Sequence, residues 1–232
     1  VKNLGLNILK TAGMFNFAGD WNWRHNYAGR PELFWPVGIM FAVGLFLGIY
    51  YLFKKEERIP FIILFFWFVI AALPVVVSSE GIPHALRSIL LIPPVFILAG
   101  FGGVWLYQWA TKYEFFTKIR KPIIVIFLIL LIAESYSAYF IKWGKNQNVQ
   151  GAFAADYAQI GGELRDLPKE LPKYVIIEAN GVDVRGIPMP AQTVMFLTDT
   201  FTPEKQKEKN IFYVLPNQIG QIPKNGYTVI IK

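Results

Sequence analysis

Four stretches of the chain are apolar on every side and long enough to cross a lipid bilayer, which takes about 20 helical residues. They run over about Pro36–Phe53, Pro60–Val77, Ile89–Trp109 and Pro122–Ile141. A helix in a soluble core keeps a polar stripe at helical spacing, and the stretch IPFIILFFWFVIAALPVVV has none. Each stretch begins at or near a proline, which suits a first helical turn. The pattern predicts four membrane-spanning helices.

The residues before the first of these stretches have a different pattern. Leu4, Ile8, Ala12 and Phe15 recur at helical spacing, which predicts a short amphipathic helix on a membrane surface. The segment GDWNWRHNYAGRPELFWP that follows is polar, aromatic and rich in turn-forming residues. It is expected to form a loop that leads into the first long helix.

The residues after the fourth stretch alternate between helical and strand-like patterns. An amphipathic helix is predicted over Ala154–Leu167, followed by strands over Tyr174–Glu178, Ile211–Leu215 and Tyr227–Ile231. Ala191–Leu197 is predicted as a helix, with a fourth strand as the alternative. The alternation indicates a small α/β layer domain.

Composition supports lipid as the surroundings of the central part. The chain is 54% hydrophobic and 17% charged, against about 25% charged residues in soluble domains. We therefore expect an α-helical integral membrane bundle with a small C-terminal α/β extracytoplasmic domain. Residues 1–35 form an extracytoplasmic amphipathic helix and loop, residues 36–141 the four transmembrane helices, and residues 142–232 the extracytoplasmic α/β domain.

Loop charge predicts which side of the membrane each loop faces. Lysine and arginine are concentrated in the first and third connections between the long helices, whereas the second connection carries Arg87 alone. The cations of the first and third connections are Lys54, Lys55, Arg58, Lys112, Lys118, Arg120 and Lys121. Because cytoplasmic loops carry the excess of positive charge, the second connection and the C-terminal domain face outward. This multi-pass arrangement in the cell membrane also accounts for the net charge of +7, and no nucleic-acid partner is expected.

Candidate chemistry collects in the two outward loops. One supplies Asp20, Arg24 and His25, and the other supplies Glu80, His84 and Arg87. Charged groups at one water–lipid boundary can bind an amphiphile with an anionic headgroup. The alternative for each residue alone is an ordinary interfacial role, since such loops are polar and aromatic in any case.

The stretch SSEGIPHALRSI predicts an anion site in more detail. Pro83 fits the first turn of a helix that continues into the third span. The exposed backbone N–H groups of that first turn attract an anion. His84 and Arg87 lie one turn apart on that helix, and the planar guanidinium of Arg87 can bind two phosphate oxygens. Arg87 can instead pair with Glu80 or extend toward water.

No metal is expected. Asp20, His25, Glu80 and His84 are plausible ligand types, yet no ligand motif with diagnostic spacing is present, so a divalent ion is unsupported. The chain has no cysteine, which excludes disulfides and thiolate sites. Glu134 lies within the fourth stretch, where a carboxylate is either a structural hydrogen-bonding group or part of the site.

The segments GMFNFAGDWNWRHNYAGRPELFWP and GIPHALRSILLIPPVF resemble bacterial membrane glycosyltransferases of the protein-mannosyltransferase-like GT-C type. The resemblance covers roughly residues 1–141 and fits a C-terminal half. It implies transfer of a sugar from a polyprenyl-phosphate donor to an acceptor that the sequence does not identify, on the extracytoplasmic side. It also implies that the catalytic carboxylate lies upstream, in a first outer loop that this chain lacks. Arg87, Arg24, His25 and His84 would then stabilise the departing phosphate.

Two other classes of function stay open on the sequence. A surface-polysaccharide polymerase or ligase shares the lipid-linked substrate. A transporter or scaffold needs no catalytic group, although a transporter is expected to place polar groups along its spans, and only Glu134 fits that expectation. The chain begins with valine, and we expect it to be a fragment of a longer protein.

Overall fold

The computed structural model describes residues 2–78, 80–223 and 225–232, so Val1, Ser79 and Lys224 lie outside the described residues. Two compact units make up the chain, Val1–Val149 and Gln150–Lys232, and each has its own hydrophobic core. The domain boundary predicted between residues 141 and 142 falls within a helical segment of the first unit.

The first unit is helical throughout its described secondary structure. Its elements are α1 (Lys2–Gly13), α2 (Trp35–Leu52), α3 (Arg58–Val76), a 3-10 helix (Leu86–Leu91), α4 (Ile92–Ala110), α5 (Glu114–Tyr136), a π-helical segment (Ser137–Trp143) and α6 (Gln147–Ala152), which crosses into the second unit.

Among the described residues, four helices are long and apolar enough to cross a membrane. They are Trp35–Leu52, Arg58–Val76, Leu86–Ala110 and Glu114–Trp143. The prediction of four long apolar helices is therefore confirmed. The physical reason is that these stretches are apolar at nearly all positions and on every side, so no choice of helical face had to be made from the sequence.

Helices α2 and α4 pack backbone against backbone. A Cβ atom added to Gly44 would lie 1.8 Å from the carbonyl oxygen of Leu98, and one added to Gly102 would lie 2.0 Å from that of Met40. Only glycine fits at such a contact, as in the close helix pairs of membrane proteins. This contact fixes the place at which α4 begins relative to α2.

Helix α1 lies against the end of α3. The side-chain amide of Asn7 donates to the carbonyl oxygens of Val76 at 2.9 Å and Ser78 at 3.1 Å. The last carbonyls of a helix lack partners within the helix, so this amide satisfies that of Val76, together with the carbonyl of Ser78 just beyond the helix. The predicted amphipathic helix is confirmed, with Leu6 and Leu9 on its exposed surface.

Two helices start at positions that the sequence did not predict. Helix α5 begins at Glu114, so that Pro122 lies inside the helix instead of opening it. An ion pair between Glu114 and Lys118, 2.8 Å long and one turn apart, favours helix in this earlier segment. The third long helix begins at Leu86, which leaves Pro83 before the helix.

The second unit combines a small parallel sheet with short helices. Its elements are α7 (Ala155–Asp166), β1 (Lys173–Ile177), β2 (Asp183–Val184), β3 (Ile187–Pro188), a 3-10 helix (Met189–Ala191), α8 (Gln192–Thr198), α9 (Pro203–Lys209), β4 (Ile211–Val214), a 3-10 helix (Pro216–Gln221) and β5 (Tyr227–Ile231). Within the described residues, the sheet has the order β4-β1-β5, and both pairings are parallel.

Helices α7 and α8 bury their apolar faces with β1 in the core of this unit, where Leu164, Val175 and Val194 are almost fully enclosed. The predicted helix over Ala154–Leu167 and the three predicted strands are confirmed. The helix predicted over Ala191–Leu197, with a strand as the alternative, is confirmed as α8. Helix α9 and the β2–β3 hairpin were not predicted, and the two-residue strands of the hairpin are too short to show an alternation.

Candidate functional site

A closed loop between α1 and α2 carries most of the candidate residues. The backbone N–H groups of Glu32 and Leu33 donate to the carbonyls of Met14 and Phe15 at 3.0 and 3.1 Å, which joins the two ends of the loop. Met14, Phe15 and Leu33 are buried in the core of the first unit. Their burial holds the polar residues between them over the helices.

The carboxylate of Asp20 is the centre of this loop, and its residue is only 3% exposed. Its Oδ1 accepts a hydrogen bond from the backbone N–H of Asn22 at 2.7 Å. Aspartate side chains commonly accept the N–H of the residue two positions later in this way. Its Oδ2 accepts the backbone N–H of Ala85 at 2.9 Å. Asp20 therefore joins this loop to the segment that precedes the third long helix.

Both histidines lie beside the Asp20 carboxylate. His25 Nδ1 is 2.8 Å from Asp20 Oδ2, and His84 Nδ1 is 3.9 Å from the same oxygen. The two imidazole rings stack, with centroids 4.6 Å apart and planes inclined by 29°. Burial lowers the pKa of the His84 imidazole, the nearby cation Arg87 lowers it further, and the Asp20 carboxylate opposes both effects. These influences favour neutral His84.

Glu32 is a second carboxylate held within the loop. Its Oε1 accepts the backbone N–H of Asp20 at 3.2 Å and the side-chain amide of Asn26 at 3.1 Å. Burial raises the pKa of the Glu32 carboxyl above its ordinary value, and the nearby Asp20 carboxylate adds to the rise, while the hydrogen bonds and Arg30 oppose it. Glu32 is not among the site residues predicted from the sequence, since the burial of its carboxylate depends on how the loop closes.

Two contacts join the loop to the fourth long helix. Arg30 forms an ion pair with Glu134 of α5, and the indole N–H of Trp143 donates to the carbonyl of Trp23 at 2.9 Å. Glu134 thus has a structural partner and also lies on the wall of a cavity. Both of the roles considered for it from the sequence are compatible with this position.

Cavities adjoin the loop on both sides of His25 and Glu32. One, of about 270 Å³, lies toward α5 and is lined by polar and aromatic groups that include Arg30, Glu134 and Trp143. Another, of about 410 Å³, lies toward the third long helix. Its wall combines the charged or polar His25, Glu32 and Arg24 with apolar side chains, among them Leu86, Ile89, Ile92, Val95 and Phe96.

The structure brings together some of the six predicted site residues but not all. Asp20, His25 and His84 form one cluster, and Arg24 lines the larger cavity with His25. The guanidinium of Arg87 donates to the hydroxyl of Ser78 and, at 3.0 Å, to the backbone carbonyl of Glu80. Arg87 and Glu80 therefore hold the second loop closed.

The predicted anion site at the start of the third long helix has a different form. The helix begins at Leu86, and the N–H of Ala85 is bonded to Asp20. The N–H of Arg87 donates to His84 Nδ1 at 3.3 Å. These two N–H groups have protein acceptors, so an anion would meet side-chain cations there more readily than backbone donors.

No family model, curated protein or solved structure matches this chain. The site offers two imidazoles, the buried carboxylate of Asp20, the half-buried carboxylate of Glu32 and an arginine beside a cavity with an apolar wall. Such a set can bind an anionic group attached to an apolar chain, and can donate or accept protons.

The raised pKa of Glu32 gives a pH-dependent contribution to stability. A carboxyl whose pKa is higher in the folded protein stabilises the fold below its unfolded pKa, and this contribution is lost as the pH rises through the folded pKa. Glu32→Gln keeps an oxygen acceptor for Asp20 but does not ionise. We expect its melting temperature to equal that of the wild type at about pH 4 and to exceed it at about pH 7.

Thermal unfolding of the purified protein across this pH range checks the expectation. Glu80→Gln, at an exposed carboxylate, is the matched control and should follow the wild-type profile. If the difference in melting temperature between wild type and Glu32→Gln were the same at every pH, Glu32 would not titrate within this pH range.

Proposed function

We propose that this chain is an integral membrane protein of the bacterial cell envelope and serves a glycosyltransferase of the GT-C type. In this proposal it binds a polyprenyl-phosphate-linked sugar on the extracytoplasmic side, and the sugar passes to an acceptor. The loop cluster around Asp20 and the adjoining apolar cavity form the side of the site that binds the donor phosphate.

The exposure of the long helices supports a lipid environment. Phe46, Phe66 and Ile132 are about 70% exposed in the isolated chain, and no residue of α5 is buried. A soluble protein rarely leaves such continuous apolar surface in water. In a bilayer the same surfaces contact acyl chains at no cost.

The arrangement of the helix ends supports an outward site. The loop around Asp20 contacts the start of the third long helix and the end of the fourth through Ala85 and Trp143. The cation-rich segment 112–121 lies at the opposite ends of these two helices, and segment 54–58 follows α2 at the end of that helix away from the loop. The bias of lysine and arginine toward the cytoplasm then puts the loop outside.

The observation that carries the proposal is the composition of the cavity of about 410 Å³. Arg24 and His25 stand at one part of its wall, and the side chains of Leu86, Ile89 and Phe96 form another part. A polyprenyl phosphate likewise has a charged part and an apolar part, since its anionic phosphate is attached to a long apolar chain. Arginine suits the phosphate because its fork of donors can bind two oxygens.

The proposed reaction breaks the bond between the sugar's anomeric carbon and the phosphate oxygen. A base takes the proton of the acceptor hydroxyl, whose oxygen forms the new bond with inversion at the sugar carbon. The polyprenyl phosphate leaves with the electron pair, and cations stabilise its charge. Arg24 and His25 are the groups proposed for that role. His84, whose surroundings favour the neutral imidazole, is proposed to donate a hydrogen bond to the same phosphate. Asp20 positions the histidines, and Arg87 with Glu80 shapes the adjoining loop.

Single-cysteine labelling tests the membrane arrangement. The chain has no native cysteine, so Glu56→Cys and Lys207→Cys each provide one reactive thiol. An impermeant maleimide added to intact cells should label the Lys207→Cys protein, and should label the Glu56→Cys protein only after the membrane is opened. Labelling of the Glu56→Cys protein in intact cells would contradict the proposed orientation.

Donor binding tests the role of Arg24. Charge-assisted hydrogen bonds contribute about 1.5–3 kcal/mol, so Arg24→Ala should weaken binding of polyprenyl phosphate by about 10- to 150-fold. The affinity of Arg24→Lys should lie between those of the wild type and Arg24→Ala, because lysine keeps the positive charge but cannot bind two phosphate oxygens at once. Binding is measured by titrating the lipid into the protein and recording tryptophan fluorescence. Polyprenol, which lacks the phosphate, is the comparison ligand.

Arg120→Ala is the control, since Arg120 lies on α5 among the cations at the opposite helix ends. It should bind the lipid phosphate as the wild type does. If the wild type bound polyprenyl phosphate and polyprenol with equal affinity, the proposal of a phosphate-binding site would be contradicted. If the phosphate preference is present and Arg24→Ala keeps it in full, Arg24 does not belong to the site.

A further inference from the structure

Asp20, His25 and His84 converge although they come from two separate loops. One ligand atom from each residue lies within 4.8 Å of the other two. Imidazole nitrogen and carboxylate oxygen are the ligands that zinc takes in proteins that do not use cysteine. These residues are plausible ligand types, but their spacing along the chain matches no ligand motif, so no metal was predicted from the sequence.

The distances within the cluster suit one small cation. The Nδ1 atoms of His25 and His84 lie 2.8 and 3.9 Å from Asp20 Oδ2. Ligand atoms bound tetrahedrally to zinc at about 2.0–2.2 Å are separated by about 3.3–3.6 Å. One contact is shorter than this separation and the other is longer, so side-chain movements of less than about 1 Å bring both histidine–carboxylate contacts to it.

The carboxylate is held in place before any ion arrives. Asp20 is 3% exposed, and the N–H groups of Asn22 and Ala85 fix its two oxygens. The imidazoles are also largely enclosed, with side-chain exposures of 14% for His25 and 15% for His84. Ligands fixed by such outer hydrogen bonds bind metals more tightly than mobile ones.

We propose that Asp20, His25 and His84 bind one Zn²⁺ ion. The three protein ligands leave a fourth coordination position for water or for an oxygen of a bound molecule, as in catalytic zinc sites. His25 lines both cavities described above, so that position is reached from them. The proposal goes beyond glycosyl transfer and does not depend on it, because the ligand set is complete within this chain.

The test is a zinc titration of the purified 232-residue chain in detergent. A purification tag without histidine is essential, and prior treatment with a chelator removes bound metal. Calorimetry should give one equivalent of Zn²⁺ per chain. Co²⁺ in its place should give the intense visible absorption of four-coordinate cobalt.

Three variants and one control identify the ligands. Asp20→Asn, His25→Ala and His84→Ala should each weaken zinc binding at least tenfold, because each removes one ligand. Glu80→Gln should bind as the wild type does, since Glu80 is a carboxylate of the same loop as His84 but lies outside the cluster. Less than half an equivalent bound by the wild type, or unchanged binding in both histidine variants, would overturn the proposal.

A second measurement needs no variant and covers the case in which a substitution unfolds the protein. The chain has two histidines and no cysteine. Diethyl pyrocarbonate should modify both imidazoles of the metal-free wild type at a slow but measurable rate, since they are only 14% and 15% exposed, and one equivalent of Zn²⁺ should lower that rate for both. Modification at the same rate with and without zinc would likewise overturn the site.

Discussion

The buried carboxylate of Asp20 is the constraint on which the site depends. An ionised group that leaves water costs several kcal/mol unless hydrogen bonds replace its hydration. Asp20 receives them from Asn22 within its own loop and from Ala85 across the gap between the loops. The requirement to satisfy one carboxylate therefore fixes the distance between two segments that are far apart in sequence.

The positions of the two histidines follow from that constraint. His25 is held by its contact with Asp20, and His84 directly precedes the residue whose N–H that carboxylate accepts. The ring of His25 stacks on that of His84, and His25 lines the cavities on both sides of the loop. The Arg30–Glu134 ion pair and the Trp143–Trp23 hydrogen bond then fix the remaining side of the loop to the fourth long helix. A phosphate-binding site and a metal site can share this arrangement, because a metal ion and a phosphate oxygen attract each other.

Much of the fold could be predicted from the sequence because its signals are local. The long helices are apolar over about 18 consecutive positions with few exceptions. Strands such as β1 and β5 are short runs rich in β-branched and aromatic residues and bounded by turn formers. Helix starts were less predictable. Pro122 was a reasonable first residue for α5, yet the charged turn before it is stabilised by Glu114 and Lys118 and continues the helix.

The residues of the candidate site could be named from the sequence, but the contacts between them could not. Asp20, His25 and His84 are recognisable as polar groups in loops beside apolar helices. Their convergence depends on a backbone N–H, that of Ala85, and no side-chain pattern reports where a backbone N–H will point. The same reasoning explains Arg87, whose guanidinium bonds to Ser78 and to the carbonyl of Glu80. Sequence patterns describe side chains, and this part of the site is built on main-chain partners.

Hydrogen exchange at the amide of Ala85 tests the role of Asp20 most directly. If the carboxylate accepts this N–H, the amide exchanges slowly in the wild type and rapidly in Asp20→Ala. Glu80→Ala should leave the rate unchanged, and the amides of α2 and α4 should stay protected in all three proteins. Equal exchange of the Ala85 amide in the wild type and Asp20→Ala, with α2 and α4 still protected, would contradict the account.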